Sequence, residues 1–333
     1  MSALRIAFIG CGSIAFGHLD RLLETGEAEV VAVCDTVEEK TRPFVEKVKQ
    51  ASGEVPAIYS DYHSLLDHAQ ADAVYVLTPH SLHAQQVVDS LSRGAHVLVE
   101  KPMVTSPSEA REVIRKWREA GKVVLVSYNF RYTPACQYAQ KLIQSQELGQ
   151  VEFIGALLCQ DWVARITETR RVWRFNPKLS GGGILMDSGS HLIDAILFVT
   201  GLQPIEVFAF TEMKDKPVDL FAAVSVRYAN GALGSISTVG NAAWKWQLGI
   251  WLSGGAILLE DSKLLVGKGV GGRYEFREVP ESEMPPASDP DRNFLNAILR
   301  GEEPLAGPEA GLRVALFTEA IYRSASMRER VCL

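Results

Sequence analysis

Ile6-Ala7-Phe8-Ile9-Gly10-Cys11-Gly12-Ser13-Ile14-Ala15 is the stretch that decides the fold of this 333-residue chain. An apolar run breaks into G-x-G-x-x-A, and a helical pattern follows. In a strand–turn–helix unit each small residue has its own task. Gly10 permits the tight turn, Gly12 lets the backbone approach a pyrophosphate, and Ala15 lets the helix pack closely on the strand. The free N–H groups of the first helical turn, which holds Ser13 and Ile14, then face the phosphates with the positive end of the helix dipole. The glycines alone are weak evidence. Here they sit in the chain's first strand–helix unit, and Asp35 ends the next strand, about 20 residues on. A carboxylate at that place accepts ribose hydroxyls and repels a 2′-phosphate, so the pattern predicts a dinucleotide site that takes NAD in preference to NADP. A glycine turn needed only for packing, and an ordinary solvated Asp35, are the competing readings.

Working outward, strand-like runs alternate with helical patterns through the first ~125 residues, as in a parallel sheet with crossover helices. Strands are expected at Arg5–Ile9, Val30–Cys34, Ala57–Tyr59, Ala73–Leu77, His96–Val99 and Val123–Ser127. Helices are expected at His18–Glu24, Glu38–Ala51, Tyr62–Leu66, Ser81–Arg93 and Ser108–Ala120, the last two stopped by Gly94 and Gly121. From Val151 the texture changes. The runs Val151–Asp161, Ile205–Phe210, Leu220–Tyr228, Ala232–Thr238, Gln247–Leu252 and Ala256–Leu259 follow one another, several joined by turns such as Asn230-Gly231 and Gly254-Gly255. One long segment, Thr167–Thr200, interrupts them and holds a helix from about Met186. Helices return at Asp291–Leu299 and Pro308–Met327. The expected class is therefore α/β. An N-terminal Rossmann domain with a parallel sheet takes residues 1–126. A C-terminal α+β domain with an open, mainly antiparallel sheet takes residues 127–333, for substrate binding and oligomerisation.

Composition supports an ordinary globular protein: 47% hydrophobic and 22% charged residues supply two cores without metal or disulfide staples. A formal net charge of −6, with no block of Lys and Arg, argues against nucleic acid or an anionic membrane as partner. Cys11, Cys34, Cys136, Cys159 and Cys332 are odd in number and scattered, which reads as reduced thiols. The N-terminus has no signal-peptide pattern, and no apolar run approaches the ~18–20 residues of a membrane span, so a cytoplasmic location is the default expectation.

Two constellations carry chemistry. Glu100-Lys101-Pro102 stands at the C-terminal end of a parallel strand, the edge where open α/β sheets bind ligands. An ammonium there stabilises negative charge developing on a substrate oxygen; a lysine in a surface turn before proline is the alternative. The second is Gly181-Gly182-Gly183-Ile184-Leu185-Met186-Asp187-Ser188-Gly189-Ser190-His191-Leu192-Ile193-Asp194. Asp187 and His191 are four apart and are expected on one helical face with Asp194, a spacing that suits a histidine base oriented by a carboxylate. A capping Asp187 with a core His191 stays open. A metal pair is the weaker reading, because no third ligand has a suitable spacing.

Together these residues closely resemble the Gfo/Idh/MocA family of oxidoreductases, over essentially the whole chain. Gly10 through Ala15 looks like its nucleotide motif, and Thr78-Pro79-His80-Ser81-Leu82-His83 is similar to its T-P-x-x-x-H segment. Glu100-Lys101-Pro102 matches its E-K-P signature, and Gly181 through Asp194 its G-G-G-x-x-x-D-x-G-x-H-x-x-D signature. The resemblance implies Lys101, Asp187 and His191 as a catalytic trio. It implies cofactor contacts from Gly10, Gly12, Ser13, Ile14, Asp35, Thr78, Pro79, His83, Glu100 and Lys101. Tyr128 through Pro134, Trp162 and Arg170 through Arg174 resemble its substrate wall, which makes Asn129, Arg131, Trp162, Trp173, Arg174 and His191 candidate substrate contacts, although ordinary packing also accounts for the aromatics. His80 departs from the Asn that many members carry.

The activity implied is hydride transfer between a nicotinamide and a secondary alcohol or ketone of a sugar, inositol or related polyol. A homodimer or homotetramer built through the exposed sheet face is also implied, as are C-terminal helices that pack back toward the first domain. No metal is expected. An NAD-dependent glycosidase on the same fold and a non-catalytic dinucleotide or sugar sensor are the alternative functions.

Overall fold

The computed structural model describes residues 3–169, 171–261, 263–270 and 273–333. Met1, Ser2 and Arg170, the last a candidate from the substrate-side loop, lie outside the described residues. The chain divides into two compact units. One runs to Tyr128 and adds Ser288–Leu312; the other is Asn129–Ala287 with Arg313–Leu333.

In the first unit, β1 (Leu4–Ile9), α1 (Ser13–Thr25), β2 (Ala28–Cys34), α2 (Glu38–Ser52), β3 (Ala57–Tyr59), α3 (Tyr62–His68), β4 (Ala73–Val76), α4 (His80–Ser92), β5 (His96–Val99), α5 (Pro107–Ala120) and β6 (Val124–Val126) alternate as the hydrophobic pattern requires. All six strands pair in parallel, in the order β3-β2-β1-β4-β5-β6. The order reverses between β1 and β4, so the crevice at their carboxyl ends is the site such sheets offer a ligand. Strands covered on both faces read as continuous apolar runs. Ile6, Phe8, Val33, Tyr75 and Leu98 accordingly form one core with Leu19 of α1 and Phe294 of the helix Pro290–Arg300. Glycines in the left-handed region end α1, α2 and α5 at Gly26, Gly53 and Gly121, and Ser106 with Glu109 closes a capping box at the start of α5.

The second unit is built on a nine-stranded sheet. Its elements run α6 (Pro134–Ser145), β7 (Val151–Cys159), α7 (Trp162–Glu168), α8 (Pro177–Ser180), α9 (Gly189–Thr200), β8 (Pro204–Glu212), β9 (Phe221–Tyr228), β10 (Leu233–Val239), β11 (Lys245–Leu252), β12 (Gly255–Glu260), β13 (Lys263–Val270), β14 (Arg273–Glu278) and, at the end, β15 (Val331–Cys332). The order is β14-β13-β12-β11-β7-β10-β9-β8-β15, antiparallel except where β7 meets β10. Helices α6 and α9 pack against each other, and α9, buried along almost its whole length, lies on β7. Strands β8, β9 and β10 alternate buried and open positions, the signature of a sheet with one uncovered face. Phe153, Phe208, Phe210 and Leu233 stay exposed there.

Several elements differ from the sequence expectation. The glycine-rich segment leads to a helix that starts at Gly189, not at about Met186, and residues 184–188 form turns before it. Asp187 therefore precedes the helix that carries His191, so the two do not share one face of a regular helix. Three glycines in a row disfavour a helix, and the turn is set by a residue distant in the chain, Asp219. Helices α6 and α7 and strands β13, β14 and β15 have no counterpart in the expected elements. Strand β14, Arg-Tyr-Glu-Phe-Arg-Glu, is exposed throughout at the sheet edge, so no buried face imprints a strong pattern on it. No helix among the described residues is long and apolar enough to cross a membrane. Cys11, Cys34 and Cys136 are buried, Cys332 is exposed, and all five cysteines are free.

Candidate active site

The first unit builds a phosphate cradle at the end of β1. Gly10 has φ of +100°, and a Cβ there would lie 2.6 Å from the carbonyl oxygen of Leu77, so both conformation and space demand glycine. Gly12 is different. A Cβ on it would meet nothing within 4 Å among the described residues, so internal packing does not require this glycine, whereas a close-approaching ligand would. Gly12 caps α1 with no side-chain hydrogen bond, Ser13 and Ile14 are exposed, and Ala15 is fully buried against the strand. The exposed residues Ser13 and Ile14 thus stand at the positive end of α1, while the Ala15 N–H turns back to the Gly12 carbonyl at 2.9 Å. Asp35 joins this loop: one carboxylate oxygen accepts the Cys11 N–H at 3.0 Å and the other the Val37 N–H at 2.9 Å. These features fit a bound pyrophosphate and ribose.

The neighbouring turns are tied together. Thr78 donates to Gln86 at 2.6 Å, and Pro79 caps α4. His83 is fully buried, its ring nitrogens 2.9 Å from the Pro102 carbonyl and 2.8 Å from the Thr78 carbonyl. Burial pushes this ring below its ordinary pKa. His83 thus sits inside the turns after β4 and β5 and links them. Glu100 and Lys101 follow β5 directly, on the carboxyl edge of the sheet that also carries the cradle.

Glu100 has a partner that the sequence did not reveal. His18 on α1 places Nε2 3.2 Å from the Glu100 Oε1 and Nδ1 2.8 Å from the Asp291 Oδ1. Arg21 donates through Nε to the Asp291 Oδ2 at 2.5 Å. His18 and Asp291 are fully buried. Burial alone would lower the His18 pKa; the Asp291 charge and hydrogen bond, then Glu100, hold it up at about 9.

In the second unit, Asp187 is held in its turn by two donors. Trp162 Nε1 reaches its Oδ2 at 2.8 Å and Arg174 Nε reaches the same oxygen at 2.7 Å. The Arg174 guanidinium also lies 4.4 Å from the centre of the Trp173 ring. The Arg171 guanidinium is disfavoured by burial and by the charges of Arg174 and Arg165. His191, half-buried in the first turn of α9, meets Phe130 edge-on at 5.6 Å, and Phe130 stacks on Trp246 at 4.7 Å. Asn129, the residue before Phe130, is exposed.

Asp194 and Arg131 form a buried ion pair. Nε of Arg131 lies 2.9 Å from Oδ2 and Nη2 lies 2.6 Å from Oδ1. Burial pushes the Asp194 carboxyl up while Arg131 opposes it. Arg131, a candidate substrate contact, therefore directs Nε and Nη2 at Asp194 of α9.

The glycine turn has its own anchor. The buried Asp219 carboxylate accepts the Gly183 N–H at 2.7 Å, the Leu185 N–H at 3.0 Å and the Tyr322 hydroxyl at 2.6 Å. Burial keeps the Tyr322 phenol protonated as the donor. Asp219 and Tyr322 carry no local sequence signal.

The profile described as an oxidoreductase family with an NAD-binding Rossmann fold, Gfo/Idh/MocA, matches residues 4–128, and the Gfo/Idh/MocA C-terminal domain matches residues 136–257. The chain belongs to the Gfo/Idh/MocA family of oxidoreductases. Its first unit is the NAD-binding Rossmann domain of that family, and its second carries the mixed, mostly antiparallel sheet. Among curated members, D-glucoside 3-dehydrogenase of Escherichia coli K12 is 29% identical over 212 residues, which cover 62% of this chain and 56% of that protein. Levoglucosan dehydrogenase of Pseudarthrobacter phenanthrenivorans is 27% identical over 207 residues, or 55% and 53% of the two chains. These matches span little more than half the length of those relatives. Among solved structures of the fold, a levoglucosan dehydrogenase in complex with NADH and levoglucosan superposes with a TM-score of 0.84 at 23% identity, covering 99% of each chain.

Proposed function

We propose that this member of the family is an NAD-dependent dehydrogenase acting on a secondary hydroxyl of a sugar or related polyhydroxylated compound. The observation that carries the reading is the position of Lys101. It directly follows β5, on the same carboxyl edge of the parallel sheet as the glycine cradle after β1, and the crevice between β1 and β4 is where such a sheet takes a dinucleotide. An ammonium placed there hydrogen-bonds the reacting oxygen and stabilises its growing negative charge. Bound NAD⁺ supplies the hydride acceptor.

His191 takes the hydroxyl proton in this reading, and its edge contact with Phe130 limits how the ring can turn. Asp187 acts as the carboxylate that orders the site. The geometry adds a second task for it, since it gathers Trp162 and Arg174, two candidate substrate contacts, onto one oxygen. Trp173, Arg174 and Asn129 offer a ring face and polar donors, a combination that suits a ligand with C–H faces and hydroxyls. Asp35 makes NAD the preferred cofactor over NADP. D-Glucoside 3-dehydrogenase and levoglucosan dehydrogenase, named above, are dehydrogenases of sugars and support the substrate class. The open sheet face with Phe153, Phe208 and Phe210 supports a homodimer or homotetramer formed through that face.

The test is a panel of sugars, inositols and their oxidised counterparts with NAD⁺ or NADH, read by the absorbance of the reduced nicotinamide. Lys101→Met and His191→Ala should lower kcat by about a hundredfold or more while NAD⁺ affinity stays within a few-fold. Unchanged turnover in both variants would exclude the assigned roles.

A further inference from the structure

His18 belongs to neither the cradle nor the proposed trio, yet it is fully buried and titratable. Its two ring nitrogens face two different carboxylates, Asp291 and Glu100. A neutral imidazole has one donor and one acceptor, so in either tautomer one nitrogen would present a lone pair to a carboxylate oxygen. Only the imidazolium donates to both. Arg21 Nη2 also lies 3.1 Å from Nδ1, a contact that would suit an unprotonated nitrogen. The Asp291 oxygen is closer to Nδ1, and Arg21 already spends Nε on Asp291, so the doubly protonated ring accounts for more of the geometry. The charged and titratable groups around the ring are Arg21 on its own helix, Glu100 after β5, and Asp291 and Asp289 at the start of the Pro290–Arg300 helix. Tyr75 of β4 stands edge-on at 5.7 Å.

Glu100 then passes this order on. Its Oε1 faces His18 while its Oε2 accepts the backbone N–H of Lys101 at 3.2 Å. We propose that His18 is a positioning residue: clamped between Asp291 and Glu100, its charged ring keeps the Glu100 carboxylate on the Lys101 amide and fixes the turn from which Lys101 acts. The helix that opens at the phosphate cradle thereby also holds the lysine, and Asp291, from a late segment of the chain, is the counter-ion that keeps the ring charged. Its catalytic consequence rests on the role proposed for Lys101.

The experiment uses the full chain in two arms. In nitrogen-15 NMR, the His18 ring should keep both protons at neutral pH and titrate near pH 9. The Lys101 amide resonance should move with the same midpoint. In Asp291→Asn both midpoints should fall together, and in His18→Gln the Lys101 amide should show no such step. In the kinetic arm, His18→Gln should lower kcat roughly ten- to a hundredfold and remove the alkaline limb of the kcat profile, with KM for NAD⁺ within a few-fold. A Lys101 amide indifferent to the His18 titration overturns the proposal. So does a His18→Gln variant that melts earlier but keeps the wild-type pH profile, because His18 would then serve packing alone. If His18→Gln does not fold, Asp291→Asn decides by the same two readouts. Wild-type protein that turns over no member of the substrate panel defeats the dehydrogenase reading instead, and the NMR arm still judges the clamp.

Discussion

Gly183 lies directly against the backbone of Asp219: a Cβ on Gly183 would overlap the Asp219 carbonyl oxygen and come within 2.6 Å of its nitrogen. The same aspartate ties the turn from its side chain, through the Gly183 and Leu185 N–H groups. The glycine run before Asp187 is thus a close-packed junction with a carboxylate at its centre. Gly183→Ala should destabilise the protein by at least ~1–3 kcal/mol, since overpacking against backbone cannot relax by a rotamer change. A melting curve checks this, and a variant as stable as wild type would contradict the packing. Tyr322→Phe should cost less, about 1 kcal/mol, because Asp219 keeps its two backbone donors. Asp219→Ala, which strips the turn of its two side-chain bonds and leaves the Tyr322 hydroxyl without this acceptor, should lower the melting temperature further than Tyr322→Phe.

That junction explains which parts of the site could be read from the chain. The places of the cradle, Asp35 and Lys101 in the fold are legible because strand, turn and helix follow one another and the physical demand on each residue is local. Asp219 acts on Gly183 across 36 residues, and Asp291 acts on His18 across 273. Nothing around Asp219 or Asp291 distinguishes them from surface carboxylates until the sheet and the late helix bring them inside. The same cause misplaced the start of α9. A spacing of four between Asp187 and His191 reads as one helical face, but the Asp219 clamp holds residues 184–188 in turns and delays the helix to Gly189.

Cofactor choice should follow Asp35. Its carboxylate is fixed by the Cys11 and Val37 N–H groups, so Asp35→Asn keeps an oxygen acceptor while removing the charge. The ratio of kcat/KM for NAD⁺ over NADP⁺ should fall roughly tenfold or more, chiefly through improved NADP⁺ binding, as repulsion of the 2′-phosphate disappears. A ratio unchanged within twofold would show that Asp35 does not face the ribose.

The Arg131–Asp194 pair should behave as structure rather than as a substrate contact. Removing one partner leaves a buried charge, so Arg131→Met should cost about 3–5 kcal/mol in urea denaturation. Replacing both partners, Arg131→Met with Asp194→Leu, should recover most of that loss. The double variant should then keep KM within a few-fold for a compound of the panel that the wild type turns over. A large rise in KM at restored stability would return Arg131 to the substrate wall.

His96 and His18 should tilt the stability curve in opposite directions. Burial, then the Lys122 charge, holds the His96 ring down at about 4, while its Nδ1 accepts the Val123 N–H at 3.0 Å. The unfolded ring titrates near ~6.5, so between these values the unfolded chain binds more protons. The His96 contribution is therefore whole above about pH 6.5 and fades as the pH falls toward 4. His96 is only partly buried, so solvent screening limits the effect to about 1 kcal/mol. His18 is held at about 9 and binds its proton more tightly when folded. Its contribution is whole below about pH 6.5 and is lost as the pH rises through 9. Urea denaturation from pH 4.5 to 9.5 separates the two. His96→Asn should flatten the acid slope and leave the alkaline one, and His18→Gln should do the reverse. If both variants kept the wild-type slopes on both sides, neither ring would be titrating against the fold as its neighbours require.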